Sequence, residues 1–247
     1  MEIQRYIRYA LSLALTLVFL AHVSGFFHIP ILTNLENSAY DLRLALTLPA
    51  KTERQVVIVD IDEKSLSELG QWPWNRNIMA RINDTLFDYY QVSEVGFDIV
   101  FAEADIDEGA KLLESMATGE LRDDQAFIDV YNKVIPTLQH DKLFADSLKN
   151  RKTVLGFVLE TDTRKGALPE PVATLDKNMQ GRIPINTAHG YTANLAILQE
   201  SALRGGFFDN PLLDDDGVFR RVPLLQELDG NLYESLALAL SRVYLGS

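Results

Sequence analysis

Residues 56–76, VVIVDIDEKSLSELGQWPWNR, are the stretch that decides the fold. It opens with four β-branched residues, and such a run predicts a strand buried on both faces. Asp60 and Asp62 follow at the carboxyl end of this strand, where a side-chain period of two points both carboxylates to the same side. Trp72-Pro73-Trp74 comes next, and the proline holds two indoles side by side. A polar strand end followed by a rigid aromatic corner is unusual in an α/β domain.

Further strands and helices are predicted on the C-terminal side of this stretch. Apolar residues recur at spacings of three and four over residues 75–90, which predicts an amphipathic helix. Residues 95–101 alternate between apolar and polar and predict a second strand. The strand–helix–strand unit is right-handed by default, so its two strands are expected to be parallel. Residues 153–159 predict a third buried strand.

The expected fold class is α/β, with a three-layer-like mixed sheet, a parallel βαβ start and a C-terminal antiparallel hairpin. Residues 206–225 predict this hairpin, with its turn at Asp216-Gly217, and a last helix follows it. The segment 105–139 is rich in acidic residues, and its apolar residues have helical periodicity. It predicts two surface helices around Gly119. One N-terminal transmembrane helix completes the expected architecture.

Composition limits the classes of function. The chain has 247 residues, 47% of them hydrophobic, which is enough for one large domain with a packed core plus an anchor. Its net charge of −12 argues against a nucleic-acid partner, because phosphate binding needs clustered Lys and Arg. The sequence contains no cysteine, which excludes disulfides and thiolate chemistry.

Residues 9–32 contain no Asp, Glu, Lys or Arg, and a run of this length can cross a hydrocarbon layer about 30 Å thick. A cleaved signal peptide and a buried core helix are the alternatives, and the length and flanks favour a retained anchor. Basic residues precede the run and acidic residues follow it, so residues 1–8 are expected to be cytoplasmic. Residues 33–247 would then form an extracytoplasmic domain.

Four motifs carry a resemblance to a known family. The opening stretch contains D-I-D and G-x-W-P-W, with Asn75 in place of the usual proline. Residues 96–103 read G-F-D-I-V-F-A-E, residues 40–43 match Y-D-x-R, and residues 206–223 match G-F-x-N and D-x-D-G-x-x-R-R-x-P almost completely. The chain resembles the CHASE type 2 sensory domains that are associated with bacterial cyclases and histidine kinases. The 105–139 insertion is the main departure from the family pattern.

The resemblance implies a sensory input domain of a membrane-bound bacterial signalling protein. We expect it to lie in the periplasm, anchored in the inner membrane, and to pass ligand or stress signals to an adenylate or guanylate cyclase or a histidine kinase outside these 247 residues. The region itself would not be an enzyme. A homodimer is expected, because a ligand would act by shifting the anchor helix relative to its partner. A scaffold that binds an envelope protein is a further alternative.

The predicted ligand-binding or structural polar cluster consists of Asp60, Asp62, Trp72, Trp74, Arg76, Asp98, Arg220 and Arg221. Ligands collect at the carboxyl ends of strands in open α/β sheets, and the three aspartates are expected there. A structural role is favoured over a ligand site: the carboxylates would pair with the arginines, because three unpaired carboxylates are costly to bury. The indoles could cage a ligand or cap the edge of the sheet.

An enzymatic alternative rests on the D-x-D strand end, which resembles that of haloacid-dehalogenase-type phosphatases. The chain would then be a membrane-anchored, Mg²⁺-dependent phosphohydrolase with Asp60 as nucleophile and Asp62 as general acid. Residues 214–217, DDDG, lack the spacing of an EF-hand, and the four histidines lack ligand spacing. No metal or cofactor is therefore predicted outside this alternative.

Overall fold

A computed structural model describes residues 2–49, 55–179 and 182–246. The chain divides into two units, Met1–Asp60 and Ile61–Ser247. The predicted mixed α/β class is confirmed: two mixed sheets and their helices make up the second unit, and an apolar helix begins the first.

The first unit contains the helices α1 (Glu2–Val23) and α2 (Pro30–Thr47). Residues Ile3–Val23 are long and apolar enough to cross a membrane by length and composition. The apolar run 9–32 is not one continuous helix, because α1 ends before Gly25, which adopts a φ of +76°. Pro30 then begins α2 at a position where a proline costs no hydrogen bond.

The predicted strand at residues 56–59 is wrong. The structure assigns no strand there, and these four apolar side chains are 65–89% exposed. β-branched residues favour extended backbone, but a strand exists only where a neighbouring strand completes its hydrogen bonds. Without that strand, residues 56–101 do not form the predicted βαβ unit, and the first parallel pair of the sheet is instead Val95–Phe97 with Thr153–Glu160, which helices connect.

The second unit is built on two sheets. In chain order its strands are β1 (Val95–Phe97), β2 (Thr153–Glu160), β3 (Arg164–Lys165), β4 (Ala173–Thr174), β5 (Asn186–Ala188), β6 (Gly190–Thr192), β7 (Arg204–Phe207), β8 (Leu225–Leu228) and β9 (Asn231–Glu234). In the first sheet, β2 lies between β1 and β7 and is parallel to both, while its other end pairs antiparallel with β6, which pairs with β3. The second sheet has the order β4-β9-β8-β5.

Helices cover the first sheet. The second unit contains α3 (Glu63–Leu69), α4 (Arg76–Asp84), a π-helical turn (Thr85–Tyr89), α5 (Glu108–Thr118), α6 (Gln125–Leu138), α7 (His140–Leu148), α8 (Ala196–Ser201) and α9 (Leu236–Leu245). α7 packs against both α4 and α8, and α9 packs on β2 and β7. One core cluster joins α4, α7 and the sheet through Trp74, Met79, Phe97, Phe101, Phe144, Leu148, Leu155 and Leu198.

The 105–139 insertion forms the two predicted helices, α5 and α6, with Gly119 as the C-cap of α5. The two helices pack against each other, and neither contains a buried residue. Both begin at an aspartate whose side chain accepts a hydrogen bond from the first turn, Asp107 for α5 and Asp124 for α6. The insertion is therefore a helical hairpin with its own local start signals.

The hairpin predicted over residues 206–225 is also wrong. Its first arm is β7, a buried strand parallel to β2, and only an isolated bridge between Leu213 and Phe219 closes the turn region. β7 needs Gly206, because a Cβ there would lie 2.6 Å from the Cα of Leu236. The actual C-terminal antiparallel hairpin is β8–β9, which turns at Asp229-Gly230, where both residues have positive φ.

Candidate functional site

An open cavity of about 630 Å³ lies in the second unit at the carboxyl ends of the parallel strands β1 and β7. Most of its walls are apolar or aromatic, and Arg76 and Asp98 supply the charged groups. The full lining consists of Ile61, Leu66, Trp72, Pro73, Arg76, Asp98, Ile99, Val100, Phe101 and Phe208. The volume lies in the range of about 300–1,000 Å³ that is typical of small-molecule sites.

The aromatic corner forms one wall. Trp72 and Trp74 meet edge to face, with ring centroids 5.7 Å apart, and the peptide bond between Trp72 and Pro73 is cis. Trp74 is buried in the core and donates its indole N–H to the carbonyl of Gly70 at 2.8 Å. Trp72 is 38% exposed and faces the cavity. The two indoles therefore divide the roles that the sequence left open: Trp74 is structural, and Trp72 is available to a ligand.

Helix α3 forms another wall of the cavity, and Asp62 is its N-cap. The Asp62 carboxylate accepts hydrogen bonds from the backbone N–H of Ser65 at 2.8 Å and from its hydroxyl at 2.6 Å. These two bonds hold the pKa of Asp62 below its usual value. Asp62 is thus a helix N-cap that places Leu66 in the cavity wall.

Arg76 is the charged group inside the site. The residue is 9% exposed, and its guanidinium carbon lies 4.6 Å from the centroid of the Phe101 ring. Nη2 donates to the carbonyl of Glu103 at 3.4 Å, and Nε is buried with no hydrogen-bond partner. Burial lowers the pKa of Arg76, and the carboxylates of Asp141 and Asp105 oppose that shift.

A network of two partly buried acids and the buried His140 stands behind Arg76. Oδ2 of Asp105 accepts the backbone N–H of Arg76 at 2.5 Å and lies 3.2 Å from Nδ1 of His140. Oδ2 of Asp141 accepts the backbone N–H of Asp105 at 3.0 Å, and its Oδ1 lies 3.8 Å from Nε of Arg76. Burial raises the pKa of Asp141. The network ties the first turns of α4 and α7 to the loop at the start of the insertion.

Asp98 stands just past the end of β1 and lines the cavity with an exposed carboxylate. Within the described part of the chain it has no hydrogen-bond or ion-pair partner. Of the predicted cluster, the structure thus brings Trp72, Arg76 and Asp98 together at one cavity. Asp60 belongs to the first unit, where its side chain is exposed.

Arg220 and Arg221 lie elsewhere, and their predicted pairing with the strand-end carboxylates is wrong. Arg220 donates to Asp214 at 3.0 Å and to Asp216 at 2.7 Å, and Arg221 also binds Asp214. The tight turn at Gly217 brings these residues together, so partners close in sequence take the arginines. The hydrogen bonds from Arg221 and Arg220 lower the pKa of Asp214.

Three residues of this network were not predicted from the sequence: Asp105, His140 and Asp141. The one available signal was their position: they stand at the two ends of the acidic insertion, where a helical hairpin must be joined to the core. Among the residues that the structure describes, no group of three or more His, Asp or Glu side chains is arranged to hold a metal ion. Asp105 and Asp141 instead lie close to Arg76 and connect the first turns of α4 and α7.

Comparison with known proteins gives one match. A family model described as a CHASE2 domain matches residues 13–247, which is nearly the whole chain. The matched region includes the C-terminal half of the apolar helix α1, the cavity and the insertion. A search of the curated proteins found no match, and a search of the solved structures found none.

Proposed function

The chain belongs to the CHASE2 domain family, and we propose that it is the extracytoplasmic input domain of a membrane-bound bacterial signalling protein. CHASE2 domains are sensory and non-catalytic. The helix Ile3–Val23 supports an anchor in the inner membrane, with the second unit in the periplasm. The output module would be an adenylate or guanylate cyclase or a histidine kinase.

The observation that carries this proposal is the cavity at the carboxyl ends of β1 and β7. Open α/β sheets bind their ligands at this edge, and the cavity combines apolar walls with few charged groups, as small-molecule sites do. Trp72 and Phe208 offer stacking surfaces, and Arg76 and Asp98 offer charge. We therefore assign ligand sensing to this cavity.

Signalling requires that the ligand favour one of two states of the domain. The cavity wall includes the start of α4, whose first turn is hydrogen-bonded to the loop that leads into the insertion. A ligand that closes on Arg76 would therefore act on α4, the loop and α7 together. The proposed homodimer would convert this change into a shift of the anchor helices. Crosslinking in membranes should give dimers, and finding only monomers would contradict this part of the proposal.

The phosphohydrolase alternative loses its main support. Asp62, its general acid, is occupied as the N-cap of α3, and the family is not catalytic. A direct check is phosphate release in the presence of Mg²⁺. Activity that disappears in Asp60→Asn would restore the enzyme, whereas the sensory proposal expects no Mg²⁺-dependent turnover.

Ligand screening tests the sensory proposal. The chain has two tryptophans, Trp72 and Trp74, and both lie at the aromatic corner, so intrinsic fluorescence reports on the site. In detergent micelles, a library of envelope metabolites should contain at least one compound that shifts this fluorescence and raises the thermal midpoint. Trp72→Ala should abolish the stabilisation, and Tyr244→Ala, an exposed aromatic on α9, should leave it intact. Equal stabilisation of both variants would contradict the assignment of the cavity.

A further inference from the structure

The unsatisfied donors of Arg76 indicate what the cavity binds. A guanidinium carries five N–H donors, and a buried one needs acceptors for them. Arg76 makes one long hydrogen bond, from Nη2 to the Glu103 carbonyl, and its Nε has no hydrogen-bond acceptor. The residue is more than nine-tenths buried and borders the cavity. The site therefore holds an incompletely paired cation beside an apolar space.

Asp141 does not complete the pairing. Its Oδ1 lies 3.8 Å from Nε of Arg76, which is within Coulombic reach but beyond a hydrogen bond. Oδ1 is itself buried without a hydrogen-bond partner, and Oδ2 is taken by the backbone N–H of Asp105. The two facing atoms of this loose ion pair, Nε of Arg76 and Oδ1 of Asp141, thus each lack a hydrogen-bond partner. A planar acceptor that enters from the cavity would satisfy the guanidinium better than Asp141 does.

We propose that the cavity binds a small organic carboxylate, with its carboxylate group on Arg76 and its apolar body against Trp72 and Phe208. This inference rests on the proposed sensory function and names the ligand class of the same site. A carboxylate matches the planar fork of a guanidinium and forms two parallel charge-assisted hydrogen bonds with it. The apolar walls account for the remainder of the ligand.

The charged groups around Arg76 couple ligand binding to the uptake of a proton. Asp105, Asp141 and Asp98 face Arg76 or the cavity, and His140 lies against Asp105. A bound carboxylate would replace Asp141 as the partner of Arg76 and leave a partly buried acid whose pKa is already raised by desolvation. Asp141 then takes up a proton. Binding should therefore strengthen as the pH falls, by at most about tenfold per pH unit.

Three probes with one phenylpropyl body separate the ligand classes: 3-phenylpropionate, 3-phenylpropan-1-ol and 3-phenylpropylamine. Titration of the full chain in detergent micelles, followed by tryptophan fluorescence, gives each dissociation constant. The carboxylate should bind about tenfold or more tightly than the alcohol, and the amine most weakly. Between about pH 8 and pH 6 the carboxylate alone should gain affinity, since it stays almost fully ionised over this window.

Two variants locate the interaction. Arg76→Gln should remove the preference for the carboxylate over the alcohol. Because Arg76 is buried and this variant could fail to fold, Asp98→Asn provides a second test at an exposed position. Loss of that negative charge should strengthen carboxylate binding about two- to fivefold and leave alcohol binding unchanged. Asp215→Asn, at an exposed aspartate that does not line the cavity, is the matched control and should change neither constant.

The outcomes distinguish a failure of the carboxylate proposal from a failure of the proposed sensory function. Equal or tighter binding of the alcohol or the amine would overturn the carboxylate class, and so would binding of none of the three probes. The proposed function is judged by the metabolite screen: a non-carboxylate compound whose stabilisation needs Trp72 would keep the sensory cavity. Only the lack of any Trp72-dependent compound would count against both.

Discussion

Asn194 shows how one buried side chain fixes the cavity. Its Oδ1 accepts the backbone N–H of Phe101 at 2.8 Å, and its amide donates to the Gly156 carbonyl at 3.0 Å and to Gln199 at 3.3 Å. Asn194 is fully buried, so water cannot replace these bonds. The same residue thus holds Phe101, a wall of the cavity, against the central strand.

We expect Asn194→Ala to lower the free energy of unfolding by about 2–4 kcal/mol, because three buried polar groups lose their partner. Urea unfolding followed by tryptophan fluorescence measures this change. Asn178→Ala, at an exposed asparagine in a turn, is the control and should stay within about 0.5 kcal/mol. A loss in Asn194→Ala no larger than that of the control would show that Phe101 needs no such support.

Asp62 gives a pH-dependent prediction. The hydrogen bonds from the Ser65 hydroxyl and N–H hold its pKa in the folded chain below that of an ordinary aspartate, so the stability it contributes is present above the unfolded pKa and is lost as the pH falls through the folded pKa. Asp62→Ala should therefore lower the thermal midpoint near neutral pH, and the difference from the original chain should shrink below about pH 4. Asp62→Asn, which can still accept the Ser65 N–H, should lose less than Asp62→Ala. A difference that does not depend on pH would contradict the capping role.

At the scale of elements, helices were predicted from sequence more accurately than strands. α4, the two helices of the insertion and α9 follow from apolar spacing and start signals that lie within each segment. A strand depends on a partner that is distant in sequence. Residues 56–59 have strong β propensity without a pairing strand, and residues 206–207 pair with β2 rather than with residues 218–225.

Only part of the candidate site was predicted, because local sequence patterns do not reveal contacts between segments that are distant in sequence. Trp72, Arg76 and Asp98 were found because they flank predicted strand ends and the aromatic corner. Asp105, His140 and Asp141 were missed because their roles arise from the meeting of α4 and α7, which no local pattern encodes. Arg220 and Arg221 were assigned to distant acids although Asp214 and Asp216 lay close to them in sequence.

The insertion is expected to be dispensable for folding. α5 and α6 pack on each other and bury no residue, while Asp105, His140 and Asp141 hold the two ends of the insertion. Replacement of residues 108–138 by a short Gly-Ser linker should preserve the cooperative thermal transition and the tryptophan spectrum, since loop closure costs little. Deletion of α9, which packs on β2 and β7, serves as the contrast and should abolish folding. Loss of the transition in the linker variant would show that the hairpin supports the core.

At the scale of the whole molecule, each unit carries one part of the proposed signalling function. The first contains a helix that can cross a membrane, and the second contains the cavity. The family match spans both units, which fits a sensory domain that is anchored to a membrane. The proposed sensory function therefore depends on the side of the membrane on which the second unit folds.

Topology tests that claim most directly. Alkaline phosphatase, which is active only outside the cytoplasm, and a fluorescent reporter that matures only inside it are each fused after Ser247. The account predicts phosphatase activity without fluorescence, which places the cavity outside the membrane. Fluorescence without phosphatase activity would place the domain in the cytoplasm and contradict the proposed extracytoplasmic sensor.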